Sequence, residues 1–170
     1  MRRGMMPEGK GYQRLKSPTT LEEILRVAIS FEAAARDFYT DMMPKVSKNI
    51  RYLVEELATE EKEHFALFTN LVQRDDLADM MQMEIERPAS DHKFSDCIHL
   101  LDLGEHPDDQ AILQYALTRE NNAIEQYGAL AKSTPPGPIQ GLFAFLANEE
   151  TKHKNELEKL YYEIVHSGGV

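Results

Sequence analysis

Two short segments of the sequence place a carboxylate and an imidazole three residues apart: Glu61 with His64, and Glu150 with His153. Residues at this spacing on a helix lie on one side, so each pair would offer both groups to the same point. Two further glutamates occur in a similar setting, and the candidate metal ligands are Glu32, Glu61, His64, Glu120, Glu150 and His153. Four carboxylates and two imidazoles are enough to bind two metal ions, with bridging carboxylates and open positions.

Each candidate lies in the middle of an otherwise apolar stripe with steps of three and four residues, which is one face of a helix. The stripe around Glu32, for example, contains Leu25, Ala28, Ala35, Tyr39 and Met42. A buried carboxylate without a partner costs several kcal/mol. Four of them at matched heights therefore favour bound cations over the alternative, a polar core network without metal.

The stripes, the capping signals and the proline breaks predict four long helices at about 20–43, 48–74, 107–133 and 138–166. Thr20 and Glu23 have the spacing of a capping box at the first helix. We expect one all-α domain over residues 19–167, preceded by a flexible basic tail over residues 1–18.

The four helices look like one helical hairpin used twice. The spacing from Glu32 to Glu61 nearly equals that from Glu120 to Glu150. Short turns make neighbouring helices antiparallel, so each hairpin would bring its glutamates to one level. The stretch 75–106 is long for a loop, and we expect a crossover along the bundle with a short helix near 96–103. The predicted fold is thus an antiparallel four-helix bundle of two hairpins joined by a long crossover.

Some neighbouring polar residues are candidates for other roles. Tyr39 follows Glu32, and Tyr127 follows Glu120, by seven residues, which is about two helical turns. Both tyrosines are candidates to donate hydrogen bonds to ligand carboxylates, and an ordinary core role fits the spacing equally well. Four glutamates lie off the stripes and are interpreted as solvated: Glu60, Glu63, Glu125 and Glu149.

Ligand type narrows the choice of metal. Hard carboxylates with imidazole and without thiolate favour iron or manganese, and two-metal redox chemistry favours iron. We expect two iron ions, with manganese as an alternative and zinc as a substitute in recombinant protein. The single cysteine, Cys97, excludes an intrachain disulfide and is interpreted as a thiol kept in a reducing compartment.

Composition limits the partners and the location. The net charge of −10 argues against binding to nucleic acid or to an anionic membrane surface. No run approaches the roughly 18–20 apolar residues of a membrane span. Segment 1–18 lacks the apolar core of a secretory signal, so we expect a cytoplasmic protein. Apolar residues expected on the outer helix faces are candidates for closing a homodimer: Ile24, Phe31, Ile50 and Leu53.

At the candidate ligands the chain resembles the ferritin-like superfamily, and most closely its rubrerythrin-like branch. Phe31–Tyr39 resembles the first-helix motif of that branch and Glu61–His64 its second, and the resemblance covers roughly residues 20–166. It implies a four-helix bundle whose di-iron centre, held by the six candidate ligands, reacts with hydrogen peroxide or O₂. By inference, Glu61 and Glu150 would bridge the ions and balance their changing charge.

Two departures from the family pattern bear on function. A full rubrerythrin adds a rubredoxin module with four cysteines, whereas this sequence has one, so we expect a separate electron-donor protein. Rubrerythrins also carry a further carboxylate three residues after the third-helix glutamate, where this chain has Ala123.

The leading hypothesis is a rubrerythrin-like peroxide reductase. A ferroxidase or iron-sequestration protein and a bundle with a purely structural metal remain as alternatives. No fifth helix follows the fourth in this sequence, so a dimer is favoured over a storage cage.

Overall fold

Four long helices dominate the computed structural model, which describes residues 19–85, 103–104 and 106–168. The helices are α1 (Leu21–Met42), α2 (Lys48–Val72), α3 (Asp109–Ser133) and α4 (Pro138–Gly168). The packing of α1 on α2 and of α3 on α4 forms two helical hairpins, and the predicted all-α bundle is confirmed. The predicted tail 1–18, Cys97 and most of the short helix expected at 96–103 lie outside the described residues.

Side-chain caps explain where three of these helices begin. The Thr20 hydroxyl accepts a hydrogen bond from the Glu23 amide, and the Glu23 carboxylate accepts one from the Thr20 amide, each at 3.2 Å. The predicted capping box is therefore present. Ser47 caps α2, and the Asp108 carboxylate caps α3 by accepting from the Ala111 amide at 2.8 Å. These caps pair amides that the first helical turn leaves without partners.

The segment after α2 turns back to the start of α1. A 3₁₀ turn at Asp75–Leu77 and one helical turn at Ala78–Met81 lead to strand β2 (Glu84–Ile85). Strand β2 pairs antiparallel with strand β1 (Thr19–Thr20). The sequence was expected to cross the bundle from residue 75 onward, but the residues up to Ile85 stay at the end where α1 begins.

Two apolar clusters fill the interior, one toward each end of the bundle. The first joins the start of α1, the ends of α2 and α3, and the start of α4; its large members include Leu21, Phe31, Phe68, Tyr127 and Phe143. The second joins the opposite ends of the same helices and includes Phe38, Leu53, Leu57, Ile112 and Leu157. The helices therefore present polar residues between two dry regions.

The residues suggested for a dimer surface are buried within the chain. Each exposes only 1–2% of its surface: Ile24, Phe31, Ile50 and Leu53. That interpretation was wrong because a bundle helix packs against two neighbours, so its buried face is wider than one stripe. The large apolar side chains that the described residues do expose are Tyr52, Leu67, Met83, Phe145 and Tyr162. None of the described helices is both long and apolar enough to cross a membrane.

Replacing Phe68 with alanine should lower the free energy of unfolding by about 3–5 kcal/mol, because it empties a buried aromatic position. Phe68 is 0% exposed, and its ring centroid lies 5.9 Å from that of Tyr127 and 6.3 Å from that of Phe143. Urea denaturation under identical metal conditions measures the change. The adjacent substitution Leu67→Ala is the control, since Leu67 is 42% exposed and should lose less than about 1 kcal/mol. Equal losses of unfolding free energy in both variants would contradict the placement of Phe68 in the core.

Candidate metal centre

The six residues singled out by sequence lie together in one polar layer between the two apolar clusters. Each of the four long helices contributes to the layer. The contributions are Glu32 from α1, Glu61 and His64 from α2, Glu120 from α3, and Glu150 and His153 from α4. All six side chains are buried, with exposures from 0% to 4%. The layer is therefore shielded from solvent on both sides along the bundle axis.

The donor atoms of the layer form two overlapping groups, and within each group they lie within 4.8 Å of one another. One group is Glu32, Glu61, His64 and Glu150, and the other is Glu61, Glu120, Glu150 and His153. Glu61 and Glu150 belong to both groups, and they are the residues predicted to bridge two ions. The geometry thus offers two neighbouring cation positions that share two carboxylates.

Each imidazole turns its Nδ1 atom toward the carboxylates of its group. Nδ1 of His64 lies 3.0 Å from Oε1 of Glu61 and 3.4 Å from Oε1 of Glu32. Nδ1 of His153 lies 2.8 Å from Oε1 of Glu150 and 3.4 Å from an Oε1 atom of the α3 glutamate. The two rings are nearly parallel, at 18°, with centroids 6.1 Å apart. The layer consequently has a similar imidazole face on α2 and on α4.

Several buried atoms of the layer have no hydrogen-bond partner among the described residues: Glu32 Oε1, Glu120 Oε1, Glu150 Oε1 and His153 Nδ1. The 2.8 Å approach of His153 to Glu150 is an ion-pair distance without hydrogen-bond geometry. Each unpaired buried group costs about 1–3 kcal/mol. Cations bound between these atoms would remove that cost, and the oxygen and nitrogen donors without thiolate suit iron or manganese. The residues therefore fit a dinuclear metal centre.

Burial and mutual repulsion control the proton affinity of the shared carboxyls. Burial raises the pKa of Glu61 well above its ordinary value of 4.5, and the charges of Glu150 and Glu32 raise it further. Burial followed by the charge of Glu120 likewise raises the pKa of Glu150. Burial alone would raise the pKa of Glu120 as well, but its contact with His153 outweighs burial and lowers that pKa. Without metal, the shared carboxyls therefore tend to keep protons.

The imidazoles show the opposite balance. Burial lowers the pKa of His64, but its close contacts with the carboxylates of Glu32 and Glu61 raise it overall from 6.5 to about 11. The pKa of His153 is raised in the same way, with Glu120 and Glu150 overcoming burial. In the metal-free protein, protons bound to the imidazoles thus supply positive charge to the layer.

Each tyrosine hydroxyl donates a hydrogen bond to the glutamate on the first helix of the other hairpin. The Tyr39 hydroxyl donates to Oε2 of Glu120 at 2.7 Å, and the Tyr127 hydroxyl donates to Oε2 of Glu32. Burial, followed by the charge of the acceptor glutamate, raises the pKa of both hydroxyls well above 10.0, so both remain donors. These reciprocal contacts leave Oε1 of each glutamate for the centre of the layer.

Comparison with known proteins adds the family. The sequence model of the rubrerythrin family matches residues 23–98 and 111–167, which include all six candidate ligands. The chain belongs to the rubrerythrin family. A crystal structure described as a ferritin-like diiron-carboxylate protein from Thermotoga maritima is similar, with a TM-score of 0.68 and 20% identity. The match covers 86% of this chain and 97% of that one, and at this identity it shows the shared ferritin-like fold. No curated protein matches the chain.

Arg119 is a buried residue of this protein that the sequence patterns did not single out. It is 1% exposed, and its guanidinium lies 5.2 Å from the ring centroid of Phe31 and donates to the Phe31 carbonyl at 3.3 Å. A second stripe on α3 gave a usable signal, since Arg119 occurs at helical spacing among Ile112, Ala116, Ala123 and Leu130. Arg119 therefore packs α3 against α1 immediately beside the polar layer.

Glu60 also departs from expectation. It was interpreted as solvated, but its side chain is only 27% exposed and a carboxylate oxygen contacts Nε2 of His153. Glu149 is 23% exposed at its side chain, while Glu63 and Glu125 are exposed as predicted. The interpretation of Glu60 failed because its side chain reaches toward α4, where it contacts His153, rather than pointing away from the bundle.

Metal binding to this protein should tighten as pH rises, because metal must displace protons from Glu61, Glu150 and the imidazoles. The folding stability of the metal-free protein should instead fall as pH rises. The pKa of His64 is raised from 6.5 to about 11, so its stabilising contribution is complete below pH 6.5 and is lost as pH rises toward 11. The raised pKa of each shared carboxyl has the same sign, because its ionisation above 4.5 favours the unfolded chain.

Thermal melts of chelator-treated and metal-loaded protein between about pH 6 and pH 9 measure both trends. Calorimetry in two buffers of different ionisation enthalpy would count the protons released. A metal-free protein that becomes more stable over this range, or metal binding without proton release, would contradict the assignment.

Proposed function

We propose that this protein is a non-haem di-iron oxidoreductase that reduces hydrogen peroxide. The observation that carries the proposal is the sharing of Glu61 and Glu150 between two buried donor groups. Shared carboxylates hold two ions close together, and two ions that each change by one electron suit a two-electron reaction. Rubrerythrin-family membership supports the same conclusion.

Two ferrous ions bound in the layer would supply the two electrons that, with two protons, convert hydrogen peroxide to two water molecules. Glu61 and Glu150 would balance the change in metal charge, because each is shared by both positions. Tyr39 and Tyr127 would hold the outer oxygens of Glu120 and Glu32, so these ligands keep their orientation during turnover. The apolar clusters above and below the layer would limit competing access of water.

The oxidised centre must be reduced again before a second turnover, and this requires an electron donor outside the layer. A separate electron-donor protein is therefore part of the proposal. From the sequence we expect the protein to be cytoplasmic and homodimeric, and to bind neither nucleic acid nor membranes.

A ferroxidase or iron-sequestration role is the second candidate. It is favoured by Ala123, which is 1% exposed and occupies the position where the family resemblance places a further carboxylate. The remaining set of four carboxylates and two imidazoles is closer to that of a simple ferroxidase centre. In that role O₂ would be the preferred oxidant, and ferrous ion would be a substrate.

The wild-type protein should bind two Fe(II) ions per chain, and Glu61→Ala should bind fewer, because the substitution removes a carboxylate that both positions share. Glu63→Ala is the matched control, since it removes an exposed glutamate of the same helix. Anaerobic loading, gel filtration and metal analysis give the stoichiometry. Two ions per chain in Glu61→Ala would contradict the ligand assignment.

Stopped-flow mixing of the anaerobic Fe(II) protein with hydrogen peroxide or with O₂ separates the candidate activities. We expect faster oxidation by peroxide, by about tenfold or more, if the centre is a peroxide reductase. Each tenfold difference corresponds to about 1.4 kcal/mol in activation free energy. Faster oxidation by O₂ would favour the ferroxidase, and negligible reaction with both oxidants would leave the metal with a structural role.

A further inference from the structure

The two candidate histidines differ on the side that faces away from the metal layer. Nε2 of His153 contacts a carboxylate oxygen of Glu60. For His64, the ion pairs within the described part of the chain all involve Nδ1, and none involves Nε2. The outer nitrogen of one imidazole is therefore held by a carboxylate, whereas the other is not.

This difference breaks the internal repeat. Glu60 directly precedes Glu61, and Glu149 directly precedes Glu150, so the repeat would predict an equivalent contact from Glu149 to His64. The carboxylate of Glu149 instead pairs with Lys152 at 3.2 Å on its own helix. A Glu149 oxygen also lies within 4.8 Å of the donor atoms of Glu60 and His153, so both outer carboxylates lie on the His153 side.

We propose that Glu60 is a positioning residue for His153 and makes the cation position of Glu61, Glu120, Glu150 and His153 the tighter of the two. This inference rests on the dinuclear centre of the proposed function. The second position, that of Glu32 and His64, is correspondingly the weaker one.

The physical argument follows from the two nitrogens of one ring. A neutral imidazole that binds metal through Nδ1 carries its proton on Nε2, and that proton needs an acceptor. Glu60 accepts it, which fixes the tautomer and the ring orientation and increases the basicity of Nδ1. Outer partners of this kind are typically worth about 10–100-fold in metal affinity.

Partial burial makes the contact between Glu60 and His153 effective. His153 is 4% exposed, and the Glu60 side chain is 27% exposed, so solvent competes only from one side. A charge-assisted hydrogen bond in such a site is stronger than one at an exposed surface. The Glu149–Lys152 pair is different, because the Lys152 side chain is 65% exposed and the pair contributes little.

Anaerobic titration with Co(II), followed by its visible absorption, tests the inference. The wild-type protein should bind two ions in two distinguishable steps. Glu60→Ala should weaken the tighter step by about 10–100-fold, so that the two steps approach each other. Glu60→Gln keeps an oxygen that can accept the Nε2 proton, so it should recover part of the loss.

Glu149→Ala is the matched control, because it removes the same charge from the repeat-equivalent position near His153 without breaking a contact to either histidine. It should change both steps by less than about threefold, which is below 1 kcal/mol. Circular dichroism spectra of the metal-free protein should be similar for the two alanine variants and would detect a general loss of folding. In a His153→Ala background, adding Glu60→Ala should have no further effect on Co(II) affinity.

The outcomes separate this inference from the proposed function. Two Co(II) ions in the wild type with equal losses in Glu60→Ala and Glu149→Ala, or with no loss in either, would overturn the positioning role and leave the dinuclear centre in place. A loss in Glu60→Ala that persists in the His153→Ala background would also overturn it. A wild-type protein that binds no Co(II) and no Fe(II) would overturn both proposals.

Discussion

The burial of four carboxylates in one layer is the constraint on which the rest of this bundle depends. Apolar clusters on both sides remove the solvent that would otherwise stabilise these charges. Two imidazoles and two tyrosine hydroxyls offset part of this cost, and the pKa values of Glu61 and Glu150 are raised. Unpaired oxygens still remain. The residues of the layer therefore fit cations, which would pair these oxygens.

The internal repeat explains how such a layer is built with few helices. Each hairpin supplies one glutamate from its first helix and a Glu-x-x-His pair from its second. The tyrosine of each hairpin then reaches across to the glutamate of the other, so neither half is complete alone. The pairing of Tyr39 with Glu120 and of Tyr127 with Glu32 thereby links the orientation of these candidate ligands to the packing of α1 against α3. A change that slides one hairpin along the other would disturb both contacts together.

Helical periodicity carried most of what could be predicted, because a buried stripe constrains every third or fourth residue along a helix. It placed the four helices and singled out residues that the fold brings within a few ångströms of each other. It failed where the result depends on the angle between helices. Three features depend on which neighbour lies beside each helix. They are the widths of the buried faces at Ile24 and Leu53, the aromatic surroundings of Arg119 and the contact of Glu60 with α4. The pairing of β2 with β1 depends on two residues per strand, too few to give a sequence pattern.

The same electrostatics also determines what each kind of measurement can report. A cation in this layer relieves buried repulsion whether or not it takes part in a reaction, so metal-dependent stability is expected from a redox centre and from a structural one alike. Redox function instead requires the shared ligands to tolerate two metal charge states. A pair of carboxylates common to both positions would suit that task, because each would contribute negative charge to both ions. Oxidation rates, and not melting temperatures, therefore distinguish a redox role of this centre from a structural one.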